Sequence, residues 1–110
     1  MWLITPFGFF SIVRKPDDVE RGTLTIRARV KSDLEALRKH LPSLGEIVEN
    51  AGTDYRYRSK APRGDIARAL GKMVQNLDYD NFKDEVGKKQ GKDRAKIYGQ
   101  VWSVLYDLQR

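Results

Sequence analysis

Apolar and polar residues alternate with a period of two in two stretches of this 110-residue chain, and in both the polar phase is basic. Thr23–Lys31 reads TLTIRARVK and Asp54–Ala61 reads DYRYRSKA. In an extended strand, successive side chains point to opposite faces. The first stretch therefore sends Leu24, Ile26, Ala28 and Val30 to one side and Arg27, Arg29 and Lys31 to the other. The second sends Tyr55, Tyr57 and Ser59 one way and Arg56, Arg58 and Lys60 the other. Two such strands in one sheet would make its open face a cationic platform.

The remaining pattern predicts the other elements. Residues 2–14, rich in Phe, Ile and Val, predict a first strand. Lys15–Gly22 reads as a polar hairpin loop punctuated by Pro16 and Gly22. Ser32-Asp33-Leu34-Glu35 matches a capping box and predicts a helix from Ser32, striped by Leu34, Leu37 and Leu41 and stopped by Pro42. Gly45–Glu49 predicts a short third strand, and Asn50-Ala51-Gly52-Thr53 the turn into the basic fourth. From Asp65, the recurrence of Ile66, Leu70, Met73, Val74 and Leu77 gives a second helix. A third begins near Asn81 and falters at Gly87 and Gly91. The last runs from about Asp93 to Leu108.

Taking the faltering third helix together with the last, the resulting order is ββαββαα. It predicts an α+β fold of two layers, a four-stranded antiparallel sheet with helices on one face, in a single domain over residues 1–110. Trp2, Phe9, Ile26, Leu37, Leu70, Met73, Trp102 and Leu105 are the expected core.

Composition narrows the chemistry. The net charge is +6, from 21 Lys and Arg against 15 Asp and Glu, which favours an acidic partner. With no cysteine, disulfides and thiolate metal sites are excluded. His40 is the only histidine and falls near the end of the first helix, where a surface or capping role is expected rather than a catalytic one. Asp78-x-Asp80 resembles the start of a calcium loop, but Phe82 and Lys83 stand where the next ligand and the glycine belong. No nucleophile motif or glycine-rich phosphate loop is present. The expectation is a non-enzymatic protein with no catalytic residues, no metal and no cofactor. No apolar run approaches ~18 residues, so no membrane span is expected. The basic residues Arg14 and Lys15 follow the opening apolar run instead of preceding it, which is wrong for a secretory signal. The expected location is cytoplasmic.

Three readings of the basic face compete. Acids at Asp17, Asp18, Glu20, Glu46 and Glu49 could pair with it as a solvated salt-bridge ladder. Alternatively, Arg27, Arg29, Arg56, Arg58 and Lys60 bind nucleic-acid phosphates, with Tyr55 or Tyr57 stacking on bases if the face is open. An acidic protein is the third partner class. The last helix offers a different surface. Its apolar residues span roughly 200° of circumference, wider than a one-sided stripe requires. The pattern favours enclosure by the domain itself. The alternative is an edge carrying Trp102 and Tyr106 that meets another protein or a second copy of the chain.

Pro6–Ile12 is similar to the Gly-aromatic strand of RNA-recognition motifs, but it opens the chain instead of following a β-α-β pattern, so a buried aromatic strand is expected. More broadly, Met1-Trp2 with Thr5, Gly8-Phe9-Phe10-Ser11, Asp54-Tyr55-Arg56-Tyr57-Arg58, Asn81-Phe82-Lys83 and Val101-Trp102-Ser103 with Tyr106, Leu108 and Gln109 carry a resemblance across nearly the whole chain. The chain resembles a group of small uncharacterised bacterial and phage-associated proteins. The resemblance implies a shared fold and carries over no functional residue. By analogy alone, the phage association suggests an accessory or host-directed inhibitor.

Overall fold

A computed structural model describes residues 1–49 and 54–110; the turn expected at 50–53 lies outside the described residues. The fold is α+β, with an open antiparallel sheet of five strands in the order β1-β2-β3-β5-β4. The strands are β1 (Trp2–Thr5), β2 (Gly8–Val13), β3 (Thr23–Ala28), β4 (Val48–Glu49) and β5 (Tyr57–Pro62). The helices are α1 (Asp18–Arg21), α2 (Lys31–His40), α3 (Arg63–Gln75), α4 (Phe82–Gln90) and α5 (Lys92–Leu105), followed by a 3-10 turn over Tyr106–Gln109.

The fifth strand corrects the four expected. The apolar stretch 2–14 is a hairpin rather than one strand, because Pro6 has no N–H to give a ladder and turns the chain with Phe7. Across the pair, the Ile12 N–H donates to the Met1 carbonyl at 2.8 Å. The loop at 15–22 also holds a short helix, and the third predicted strand shrinks to Val48–Glu49. The capping box does not form, since α2 begins one residue early with Val30 as its extended N-cap. Asp33, which is not a member of that box, has a task of its own. Buried under β2, its Oδ2 accepts the Phe9 N–H at 3.0 Å.

Contacts cluster in two compact units, Met1–Ile4 with Gly8–Leu77, and Thr5–Phe7 with Asp78–Arg110. In the first, β2 pairs with β3 so that Ser11, Ile12 and Val13 oppose Arg27, Ile26 and Thr25. β3 pairs with β5 so that Thr25, Ile26, Arg27 and Ala28 oppose Lys60, Ser59, Arg58 and Tyr57. Phe10, Ile12, Ile26, Ala28 and Ala61 therefore share one face and are buried with Leu34 and Leu37 of α2 and Ile66 and Ala69 of α3. Gly8 is required here. A Cβ on it would lie 2.8 Å from the Phe10 ring and 2.9 Å from the Asp33 Cβ, too close for real atoms.

In the second unit, α4 and α5 form a helical hairpin. Asn81 caps α4, its Oδ1 accepting the Asp84 N–H at 3.0 Å. Gly91, at φ +92°, makes the turn that L side chains rarely permit. Val86 and Ala95 are buried, and Phe82 stacks on Tyr98 with centroids 6.1 Å apart. The Gln90 side chain donates to the Pro6 carbonyl at 2.7 Å. Among the described residues no helix is long and apolar enough to cross a membrane.

Several expected core residues are not in the core. Ile26 and Leu37 are buried, but Trp2 and Trp102 are each 67% exposed and Leu105 is exposed as well. Trp2 stands on an edge strand, where half of the sheet's covering neighbours are missing.

Candidate functional site on the polar sheet face

The face of β2, β3 and β5 turned away from α2 and α3 carries Ser11, Thr25, Arg27, Arg58 and Lys60, as alternation requires. The structure then divides the five predicted basic residues by what already holds them. The Lys60 ammonium lies 2.7 Å from Asp18 Oδ1, 3.3 Å from Asp17 Oδ2 and 2.6 Å from the Thr25 hydroxyl. Arg56 pairs with Glu49 at 2.9 Å. These two follow the salt-bridge ladder.

Asp18 anchors that ladder from inside. It is 1% exposed, and its carboxylate accepts the Lys15 N–H at 2.8 Å, the Thr23 hydroxyl at 2.6 Å and the Thr25 hydroxyl at 2.8 Å in addition to Lys60. Burial pushes its pKa up. The bonds from Lys60, Thr23, the Lys15 backbone and Thr25 outweigh that and hold the carboxyl well below the usual carboxylate range. The sequence placed this residue in a polar loop and gave no sign of its burial. The nearest signal was the Thr23-x-Thr25 spacing, which puts two hydroxyls in phase with the basic face.

Arg27 and Arg29 are held differently. Both guanidiniums lie over the Tyr55 ring, 4.6 and 4.1 Å from its centroid. Such contacts contribute about 0.5–2 kcal/mol each. Arg27 also donates to the Ser11 hydroxyl at 2.7 Å, and Arg29 to the Asp54 carbonyl at 2.8 Å. Among the described residues no carboxylate pairs with either one, and the Arg27 Nε is buried without an acceptor. Arg58 stands directly opposite Arg27 in the ladder, an arrangement of like charges that disfavours folding.

Tyr55 lies beneath those guanidiniums at 4% exposure and offers no free ring to a base, which corrects the expectation that it stacks. Tyr57 opposes Ala28 on the helix-covered face. The accessible ring is one the sequence assigned to the core. Trp2 packs edge-on against Phe9 at 5.4 Å, and Phe9 contacts Tyr55 at 6.4 Å. A row of three rings thus runs from an exposed tryptophan to the arginines.

The predicted protein-facing residues belong to the second unit. Trp102 and Tyr106 contact each other at 5.5 Å. Phe82, the first residue of α4, is level with Tyr98 halfway along α5, so the rest of α5 runs on without α4 beside it. There Trp102, Val104, Leu105 and Leu108 are all more than half exposed, and the expected enclosure of the helix is not found.

The acidic segment Asp78–Glu85 lines a shallow groove of about 1460 Å³ in this unit, where Lys88, Lys92 and Lys96 are interleaved with the acids. Among the described residues no three His, Cys, Asp or Glu side chains come together as a metal site. His40 is exposed in the last turn of α2.

Comparisons of the chain with protein-family models, with curated proteins and with solved structures return no match.

Proposed function

We propose that this chain is a non-enzymatic binding protein whose polar sheet face engages the phosphates of a nucleic acid. The observation that carries the reading is the placement of Arg27 and Arg29 on Tyr55 without a carboxylate, beside the cross-strand Arg58. Guanidiniums held on a ring instead of by a carboxylate keep their charge for an outside anion, and their planar fork suits a phosphate. Contacts of this kind hold a strand without reading its bases. Lys60 and Arg56, already neutralised, are left out of the binding set.

The test is titration of labelled oligonucleotides across a salt series from ~50 to ~200 mM. Affinity should fall steeply with salt, as released counterions require. Arg29→Glu, beyond the end of β3, should weaken binding and flatten the salt slope, with a thermal melt checking that the fold survives loss of the Tyr55 contact. Arg56→Gln should do neither. Absence of binding at the lowest salt would end the reading.

A second reading rests on α5. Its C-terminal half is apolar around much of its circumference and uncovered within its own unit, the condition of a surface that meets another protein. Val104→Asp with Leu108→Asp should abolish any concentration-dependent association seen in sedimentation. A wild-type chain that stays monomeric at high concentration would exclude the homodimer form.

A further inference from the structure

We infer that the nucleic acid bound is single-stranded and that Trp2 stacks on one of its bases. This rests on the phosphate-binding reading and adds what that reading leaves open, the class of strand. Trp2 is 67% exposed on edge strand β1, so its indole is open to a ligand, and its place in the ring row joins it to the cations. The edge-on contact with Phe9 at 5.4 Å and 82° fixes the indole, and Phe9 leads to Tyr55 and the two guanidiniums over it.

A cationic strip that ends in an accessible aromatic face is the arrangement that holds single strands, with phosphates on the cations and a base on the ring. In a duplex the base faces are stacked on their neighbours, so the indole finds no partner. Duplex binding then rests on the arginines alone. The same ring on a purely apolar surface would suggest a protein partner. Here the neighbouring charge is positive, and among the described residues no carboxylate pairs with Arg27 or Arg29, which favours the polyanion.

The experiment compares a short single strand with the duplex of the same sequence, by fluorescence anisotropy at low salt, for the wild type, Trp2→Ala and Trp2→Phe. The wild type should prefer the single strand. Trp2→Ala should lose about fivefold or more on it and little on the duplex, and Trp2→Phe should restore most of the loss. Because Trp2 is two-thirds exposed, loss of its Phe9 contact should lower the melting temperature of Trp2→Ala by only a few degrees, and all three proteins are titrated well below melting. In a Trp102→Phe background, the remaining Trp2 emission should be quenched by the single strand. Equal affinity for both strand forms, or an unchanged Trp2→Ala titration, overturns the stacking inference and leaves phosphate binding standing. Binding to neither form overturns both.

Discussion

The polar side of the sheet and the C-terminal half of α5 break the usual rule of burial in opposite directions. Around Asp18 a charge is buried and four donors converge on it, with one more carboxylate, Asp17, beside the shared Lys60. Along α5 from Trp102 onward, large apolar side chains stand in solvent. The first violation is compensated within the fold and the second is not. A compensated violation reads as structure, and an uncompensated one is what the proposed binding surfaces rest on. The same criterion separates the arginines and lysines of the sheet. Lys60 and Arg56 are neutralised, whereas Arg27 and Arg29 rest on an aromatic ring without a carboxylate.

The largest effect should come from removing the compensated charge. Asp18→Asn leaves Lys60 without its closest carboxylate and the Thr23 and Thr25 hydroxyls competing for one amide oxygen. Loss of one member of a buried pair costs about 3–5 kcal/mol; since Lys60 keeps some solvent, about 3 kcal/mol is expected, read as a shift of the urea midpoint. The pH dependence follows with a definite sign. The folded Asp18 carboxyl titrates below its unfolded value of about 3.9, so near that pH the unfolded chain binds more protons. Its stabilisation is complete above that range and drains away as pH falls toward the lower folded value. Wild-type stability should decline between about pH 5 and pH 2 more steeply than that of Asp18→Asn. Parallel curves would mean that the buried carboxylate does not anchor the ladder.

What was legible in the sequence follows the same divide. The period-two alternation of 23–31 and 54–61 assigned Arg27, Arg58 and Lys60 to one face correctly, because face depends only on local geometry. Which acid meets which base depends on register, and register between β3 and β5 depends on partners far apart in the chain, Arg27 with Arg58 and Thr25 with Lys60, so Lys60 and Arg58 looked alike. Trp2 was misplaced because an aromatic residue on an edge strand and one on a central strand have the same local pattern. The capping box at Ser32 is not formed because α2 starts at Lys31 with Val30 as its N-cap, and the buried bond of Asp33 to Phe9 is a tertiary contact that the local pattern did not show. The apolar arc was drawn as one helix through Leu108, whereas α5 ends at Leu105 and Tyr106–Gln109 is a 3-10 turn, and among the described residues the expected cover is not found.

The smallest expected effect is the sharpest test of the comparison. Trp102→Ala would cost about 3–5 kcal/mol if the indole were a core residue. At 67% exposure, with Tyr106 as its aromatic contact, the cost should stay within about 0.5 kcal/mol. Chemical denaturation of the wild type and Trp102→Ala distinguishes the two directly. A midpoint that barely moves would establish that this end of α5 contributes nothing to the fold that holds it, so its apolar character calls for a partner. A loss of several kcal/mol would show that the helix is covered in solution, and α5 would then join the sheet among the regions whose exceptions are compensated from within.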